Sequence, residues 1–147
     1  MNKPIIGVVG SSGTGKSTSL RNLPPDKTTI IDLERKGFPF KEAKNFNVIS
    51  VNKLPDVDKA IDTAVKESEV VVIESFTKYC EILFSTAAKM YKGYDVWTYY
   101  NKSIRDVLDR VKNEKAVVIF TAIDEIVRVT QPTGGEYNIR RIKVQGR

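Results

Sequence analysis

GSSGTGKST, residues 10–18, decides the fold of this chain. It matches the pattern G-x-x-x-x-G-K-[ST] at every fixed position. The apolar run at 5–10 predicts a strand before it, buried on both faces, and the residues from Lys16 to about Asn22 predict a short helix after it. A glycine-rich loop between a strand and a helix is the setting in which this pattern binds phosphate, so we expect a nucleoside triphosphate here.

The chemistry of the loop explains its composition. Backbone amides in a glycine-permitted curl point inward and form a concave anion site, and the following helix adds its positive dipole end. We expect Lys16 to reach the β- and γ-phosphates of ATP and the Ser17 hydroxyl to bind Mg²⁺. The residues predicted to contact the nucleotide are Ser11, Ser12, Gly13, Thr14, Gly15, Lys16, Ser17 and Thr18.

The bulk composition is that of one globular domain spanning residues 1–147. Apolar residues make up 41% of the chain and charged residues 29%, and no apolar run approaches the roughly 20 residues that cross a bilayer. Cys80 is the single cysteine and histidine is absent, which excludes an internal disulfide, a Cys/His zinc site and histidine catalysis. We therefore expect a cytoplasmic protein with no membrane partner.

The pattern of short apolar runs and amphipathic segments predicts an α/β fold. The predicted strands are 5–10, 28–33, 47–51, 70–73 and 116–123, followed by a hairpin of 126–131 and 136–144 around Pro132-Thr133-Gly134-Gly135. The predicted helices are 16–22, 56–67, 76 to about 93, and 97–111, and residues 34–46 form a loop. This order predicts a three-layer P-loop fold with a mostly parallel, RecA-like sheet and a C-terminal antiparallel hairpin. Because the chain stops directly after a strand, we expect it to be C-terminally truncated.

Acidic residues end two of the predicted strands. Asp32 and Glu34 follow the second strand, and Glu74 closes the apolar run VVVI at 70–73. A P-loop protein needs such an acid to hold the magnesium shell, and the form of 70–75 makes Glu74 the better candidate, with glutamate where aspartate is usual. The alternative is that Glu74 is a helix N-terminal acid favoured by the dipole.

The net charge is +6, and the excess is concentrated at the C-terminal end. Against the single acid Glu136, that end carries Arg128, Arg140, Arg141, Lys143 and Arg147. A basic segment of this kind faces nucleic acid or the phosphates of a neighbouring subunit's nucleotide. The alternative is that these charges keep an edge strand from aggregating or solvate the surface.

Together these motifs resemble the RecA-like branch of P-loop ATPases, and more narrowly a family of phage-encoded RecA-core ATP-binding proteins. The matching features are the N-terminal P-loop, IIDLE at 30–34, VVVIES at 70–75 and VVIFTAI at 117–123. Several members of that family act in single-strand annealing or recombination. The resemblance implies an ATPase that uses Mg²⁺, binds single-stranded DNA and forms a homo-oligomer.

The resemblance also implies roles for particular residues. Glu34 matches the glutamate that polarises the attacking water, and the alternative is that it is a surface loop acid. Thr121 matches the sensor near the γ-phosphate, with Asp124 a weaker candidate. Phage relatives often show T-A-H at this strand end, where this chain has an isoleucine at residue 123. RecA-like sites are usually completed in trans by a basic residue, for which the candidates are Arg128, Arg140, Arg141 and Lys143.

Aromatic residues cluster around Gly93. We expect Trp97 and Tyr100 to pack in the core, while Tyr91, Tyr94 and Tyr99 are either core residues or platforms for single-stranded bases. Two other functions stay open on the sequence alone. One is a small nucleotide kinase, and the other is an assembly module that binds ATP and turns it over poorly.

Overall fold

The computed structural model describes residues 3–144. The strands are β1 (Ile5–Gly10), β2 (Thr28–Asp32), β3 (Asn47–Ser50), β4 (Val70–Glu74), β5 (Val117–Thr130) and β6 (Glu136–Ile142). The helices are α1 (Lys16–Ser19), α2 (Leu54–Glu67), α3 (Phe76–Met90) and α4 (Tyr94–Lys112), with 3-10 turns at Leu20–Asn22, Pro25–Lys27 and Lys41–Asn45. No helix in this part of the chain is long and apolar enough to cross a membrane.

One central sheet organises the molecule. Its order is β1-β5-β4-β2-β3, every pair along this path is parallel, and β6 joins β5 in antiparallel register. Because parallel strands end at the same edge of a sheet, Gly10, Asp32 and Glu74 come together there, with Asp32 directly opposite Glu74. The predicted mostly parallel α/β sheet with a C-terminal hairpin is confirmed.

Helices and loops cover the two faces of the sheet unequally. On one face α2, α3 and α4 pack a large core on residues such as Ile31, Val71 and Val118, because each helix carries an apolar stripe at three- and four-residue spacing. The other face is covered by α1, the 3-10 turns and the 34–46 loop, whose Leu20 and Phe40 are buried. The result is a three-layer arrangement.

The prediction that β1 is buried on both faces is wrong. Ile6 and Val9 are 42% and 43% exposed, because β1 is an edge strand of the sheet in residues 3–144 and pairs with β5 alone. A short apolar run is typical of any strand in a parallel sheet and does not reveal whether both neighbours are present.

The prediction that residues 116–123 and 126–131 form two separate strands is also wrong. β5 is one continuous 14-residue strand. Its first half lies between β1 and β4, and its second half, from Asp124 to Thr130, pairs with β6 beyond their ends. Gln131 N donates to Gly135 O at 2.7 Å and closes the turn. The hairpin therefore rises from the edge of the sheet at which β1 and β4 end; Gln145, Gly146 and Arg147 lie outside the described residues.

Candidate functional site

The loop after β1 has the backbone that its glycines permit. Gly13 and Gly15 have φ angles of 79° and 90°, a region that L side chains rarely adopt. Gly10 is required for a different reason, because a Cβ there would lie 2.8 Å from Thr14 Oγ1. Thr14 Oγ1 in turn donates to Ser11 O at 2.7 Å, and Lys16 Nζ donates to the carbonyl oxygens of Gly10 and Ser11, each at 2.8 Å. The loop is thus a curled segment, and the Lys16 ammonium group is hydrogen-bonded to its backbone.

A pocket of about 400 Å³ opens beside this loop. Its lining comes from the loop, α1, the end of β2 with the segment after it, and the β4–α3 junction. These residues are Ser12, Gly13, Gly15, Lys16, Ser17, Thr18, Asp32, Glu34, Lys36, Gly37, Pro39, Glu74, Ser75 and Ile123. The pocket therefore brings together most of the predicted nucleotide contacts with the acids Asp32, Glu34 and Glu74. Ser11 and Thr14 line an adjoining opening on the other side of the loop, together with Arg140.

Glu74 lies at the centre of the polar contacts. Thr121 Oγ1 donates to Glu74 Oε2 at 2.6 Å, and Ser17 Oγ donates to Glu74 Oε1 at 3.1 Å. Burial raises the pKa of Glu74 above its usual range, and the nearby carboxylate of Glu34 adds to that rise, while the two hydroxyls and Lys16 oppose it. The predicted sensor, the predicted metal-binding hydroxyl and the predicted second acid are therefore in direct contact.

Glu34 reaches the same pocket from β2. Ser75 Oγ donates to Glu34 Oε1 at 2.7 Å, and Lys36 Nζ lies 4.0 Å from Glu34 Oε2. The side chain of Glu34 is 22% exposed, so it is a pocket residue and not a free surface acid. Asp32 has a local role instead, since its Oδ1 accepts a 2.8 Å hydrogen bond from the backbone N–H of Arg35, whose φ is 57°.

Ser75 is a site residue to which the sequence analysis assigned no role. It follows Glu74 through a cis peptide bond and caps α3, its hydroxyl oxygen accepting from Lys78 N at 3.1 Å. The same hydroxyl donates to Glu34. A serine before a helix is a recognisable N-cap signal in sequence, but the contact with Glu34, which is 41 residues away, depends on β2 and β4 being neighbours.

Asp124 is placed away from Thr121 and Glu74. Its Oδ1 accepts a 2.8 Å hydrogen bond from Ser11 Oγ, and Arg140 Nε lies 2.9 Å from its Oδ2 as an ion pair without hydrogen-bond geometry. Asp124 is nearly buried, at 3% side-chain exposure. It links the start of the phosphate loop to strand β6.

The basic residues of the hairpin contact acids of the same hairpin. Arg141 Nε donates to Glu125 Oε1 at 2.8 Å, and Arg128 Nη1 lies 3.4 Å from Glu136 Oε2. Lys143 is exposed, and its backbone N–H donates to Ile123 O at 2.7 Å. Of these residues, Arg140 is the one that borders the phosphate loop.

The donor set fits a magnesium ion that is shared with a nucleotide. Hydroxyl and carboxylate oxygens meet where Ser17 contacts Glu74, and Mg²⁺ in such sites takes one or two protein oxygens, with phosphates and water supplying the rest. Within residues 3–144, no cluster of three or more His, Cys, Asp or Glu forms a metal cage of its own. A lone serine–glutamate pair beside a phosphate loop is therefore the arrangement expected for Mg²⁺ that arrives with ATP.

Comparison with known proteins gives one result that bears on the whole chain. A family model described as an AAA domain matches residues 2–147. No curated protein matches the sequence. The match covers the phosphate loop, the three acids of the pocket and the hairpin. The chain belongs to the AAA domain family of P-loop nucleotide-binding proteins.

Proposed function

We propose that this protein is a Mg²⁺-dependent ATPase of RecA-like type that acts in DNA recombination or single-strand annealing, as the resemblance to phage proteins implies. The observation that carries the proposal is the contact of Glu74 with both Ser17 and Thr121. It joins the phosphate loop, the end of β4 and the middle of β5 beside one pocket. An assembly of this kind suits phosphoryl transfer to water, in which positioning and electrostatics supply most of the catalysis.

The site residues have different roles in the proposed hydrolysis of ATP. The loop amides and Lys16 bind the phosphates and spread the negative charge that develops on them. Ser17 and Glu74 would hold Mg²⁺, which would supply neutralisation of charge on the phosphates. Glu34 orients a water in line with the γ-phosphate, and Ser75 fixes the carboxylate that does so. Thr121 holds Glu74 in position and, through this hydrogen bond, links the γ-phosphate site to β5.

Charge supports a polyanionic partner. The chain has a net charge of +6, and the lysines and arginines exceed the acids by 24 to 18. Single-stranded DNA is the partner that agrees with both this excess and the family resemblance. A role in the cytoplasm, in a phage-infected host, follows from the same proposal.

Two exposed regions support assembly of several copies of a single-domain chain. The hairpin exposes Ile126, Tyr137 and Ile139 at 63%, 46% and 36%, and β1 has an unpaired edge within the described residues. Apolar residues on a protruding hairpin favour contact with another protein surface. In such an oligomer the hairpin arginines lie close to a neighbour's site.

The test is release of phosphate from ATP by the full chain, with and without single-stranded DNA. We expect magnesium-dependent turnover that DNA increases, and loss of both ATP binding and turnover in Lys16→Ala. Lys27→Ala is the matched control, because Lys27 is exposed and pairs with Glu69 away from the pocket. Transfer of phosphate to an added nucleoside monophosphate would identify a kinase and contradict the proposal. Tight ATP binding without turnover would identify an assembly module instead.

A further inference from the structure

The turn between α3 and α4 exposes an unusual group of large side chains. Met90, Tyr91, Tyr94 and Trp97 are 55%, 39%, 90% and 37% exposed, and they lie within eight consecutive residues. We call these four residues the aromatic turn. Single exposed apolar residues are ordinary on a protein surface, but a contiguous group of them marks a binding surface.

Rings packed beneath the aromatic turn hold it in place. The ring centroid of Trp97 lies 4.9 Å from that of Phe84, and the centroid of Tyr91 lies 5.2 Å from that of Tyr99. Tyr100, which contacts Trp97 edge-on at 6.0 Å, is buried as the sequence predicted, whereas Trp97 keeps more than a third of its surface in solvent. The rings of Trp97 and Tyr91 are therefore supported by neighbouring rings, while Tyr94 extends into solvent beside them.

A groove with several lysines adjoins the aromatic turn. It measures about 600 Å³, lies between α3 and the start of α2, and ends at Met90. Lys53, Lys78 and Lys89 line it, with Glu81 as the acid that pairs with Lys78. Lys53 and Lys89 are exposed. Like Lys92, which lies between Tyr91 and Tyr94 in the sequence, they make no ion pair with any residue of the 3–144 range.

We propose that the aromatic turn and this lysine groove bind single-stranded nucleic acid. Bases stack on Tyr94, Tyr91 and Trp97, and Lys53, Lys89 and Lys92 contact the phosphates. Aromatic platforms beside a basic groove are how proteins bind single strands without reading their sequence. Lysine is depleted in protein–protein interfaces, so the lysines beside the rings favour a nucleic acid over a protein partner. The inference rests on the proposed function in taking nucleic acid as the partner, and it places that partner on a defined surface.

Trp97 provides a direct probe, because it is the single tryptophan of the chain. The experiment titrates the full chain, at low salt and without ATP, with a labelled 20-nucleotide oligothymidine and with a duplex of equal length. We expect quenching of Trp97 emission on saturation and weaker binding of the duplex. Tyr94→Ala should weaken single-strand binding by about tenfold, since one base–aromatic stack contributes about 1–3 kcal/mol. The double variant Lys89→Ala/Lys92→Ala should weaken it and make its dependence on salt less steep.

Matched controls distinguish binding at this surface from nonspecific electrostatic or hydrophobic binding elsewhere on the protein. Val48→Ala removes an exposed apolar side chain of β3 and Lys66→Ala an exposed lysine at the end of α2, and both should bind the oligonucleotide within twofold of wild type. Far-UV circular dichroism and urea unfolding report whether all variants are folded. Unchanged oligonucleotide affinity in Tyr94→Ala and in the double lysine variant, or unchanged Trp97 emission at saturation, overturns the proposal.

Two further outcomes keep this proposal distinct from the ATPase proposal. ATP turnover without any oligonucleotide binding contradicts the nucleic-acid surface and leaves the ATPase standing. Oligonucleotide binding that depends on Tyr94, without ATP turnover, supports the nucleic-acid surface and contradicts the ATPase proposal. If the chain binds no oligonucleotide and Tyr94→Ala instead abolishes self-association in sedimentation, the aromatic turn is a protein interface and the proposal is wrong.

Discussion

Thr121 Oγ1 donates a 2.6 Å hydrogen bond to Glu74 Oε2, and this contact joins two neighbouring strands at the pocket. Thr121 is fully buried and Glu74 nearly so, so no solvent competes for the bond. The other carboxylate oxygen of Glu74 accepts from Ser17 of the phosphate loop. A single side chain therefore connects the phosphate loop to the middle of β5.

Replacing Thr121 with valine should remove the hydrogen bond to Glu74. The two side chains have nearly the same shape, but valine leaves a buried carboxylate oxygen without its donor, so we expect the free energy of unfolding to fall by about 1–3 kcal/mol. ATP turnover should fall more than ATP affinity. Urea unfolding and steady-state kinetics measure the two effects. Thr86→Val, which removes a hydroxyl bonded to Ile82 O within α3, is the control and should leave turnover unchanged; equal behaviour of the two variants would contradict the role of Thr121.

Glu34→Gln should separate ATP binding from hydrolysis. The amide oxygen still accepts from Ser75, so the pocket keeps its shape, but an amide does not polarise water as a carboxylate does. We expect ATP affinity within a few-fold of wild type and a turnover at least about 100-fold lower. Equilibrium binding of a labelled nucleotide and single-turnover phosphate release test this. Glu42→Gln, at an exposed acid of the neighbouring loop, should behave as wild type; normal turnover in Glu34→Gln would assign the water to Glu74.

Asp124→Ala should loosen the phosphate loop from the hairpin. The Ser11 hydroxyl loses its acceptor and Arg140 loses its partner, so we expect ATP affinity to fall by about tenfold, or roughly 1.4 kcal/mol. Asp124→Asn keeps an oxygen for Ser11 and should recover most of that affinity. Glu136→Ala breaks an exposed pair with Arg128 and should have almost no effect. Titration with a fluorescent ATP analogue distinguishes these variants, and wild-type affinity in Asp124→Ala would show that the loop does not depend on this link.

Cys80 should make stability depend on pH in the alkaline range. Burial raises the pKa of its thiol from 9.0 to about 11, and a hydrogen bond with Tyr100 opposes that rise. The folded protein therefore holds the thiol proton more tightly than the unfolded chain. This contribution is fully present below pH 9 and is lost as pH rises toward 11. Urea unfolding of wild type and Cys80→Ala between pH 8 and about 11 measures it. The stability of wild type relative to Cys80→Ala should decline over that interval; a constant difference would contradict the prediction.

Local residue patterns were sufficient to predict the phosphate loop and the fold class. The order of glycines in residues 10–18 is typical of a phosphate-binding loop. The alternation of apolar runs with amphipathic helices predicts a parallel sheet covered by helices. Glu74 was predicted as a site residue because it follows an apolar run, whereas Glu34 and Thr121 were predicted from the resemblance to RecA-like proteins. The patterns did not show that Trp97 remains partly exposed, because i, i+3 spacing describes a helix face and not what covers it.

The sequence by itself determined most of the strands and helices, the glycine-rich loop at residues 10–18 and the acids that follow β2 and end β4, because these depend on residues close together in the chain. The tertiary structure alone decided that β1 is an edge strand in the described range, that Ser75 contacts Glu34 and that Asp124 links Ser11 to Arg140. These contacts join residues that are distant in sequence, and they exist only because the strand order brings their side chains within hydrogen-bonding distance.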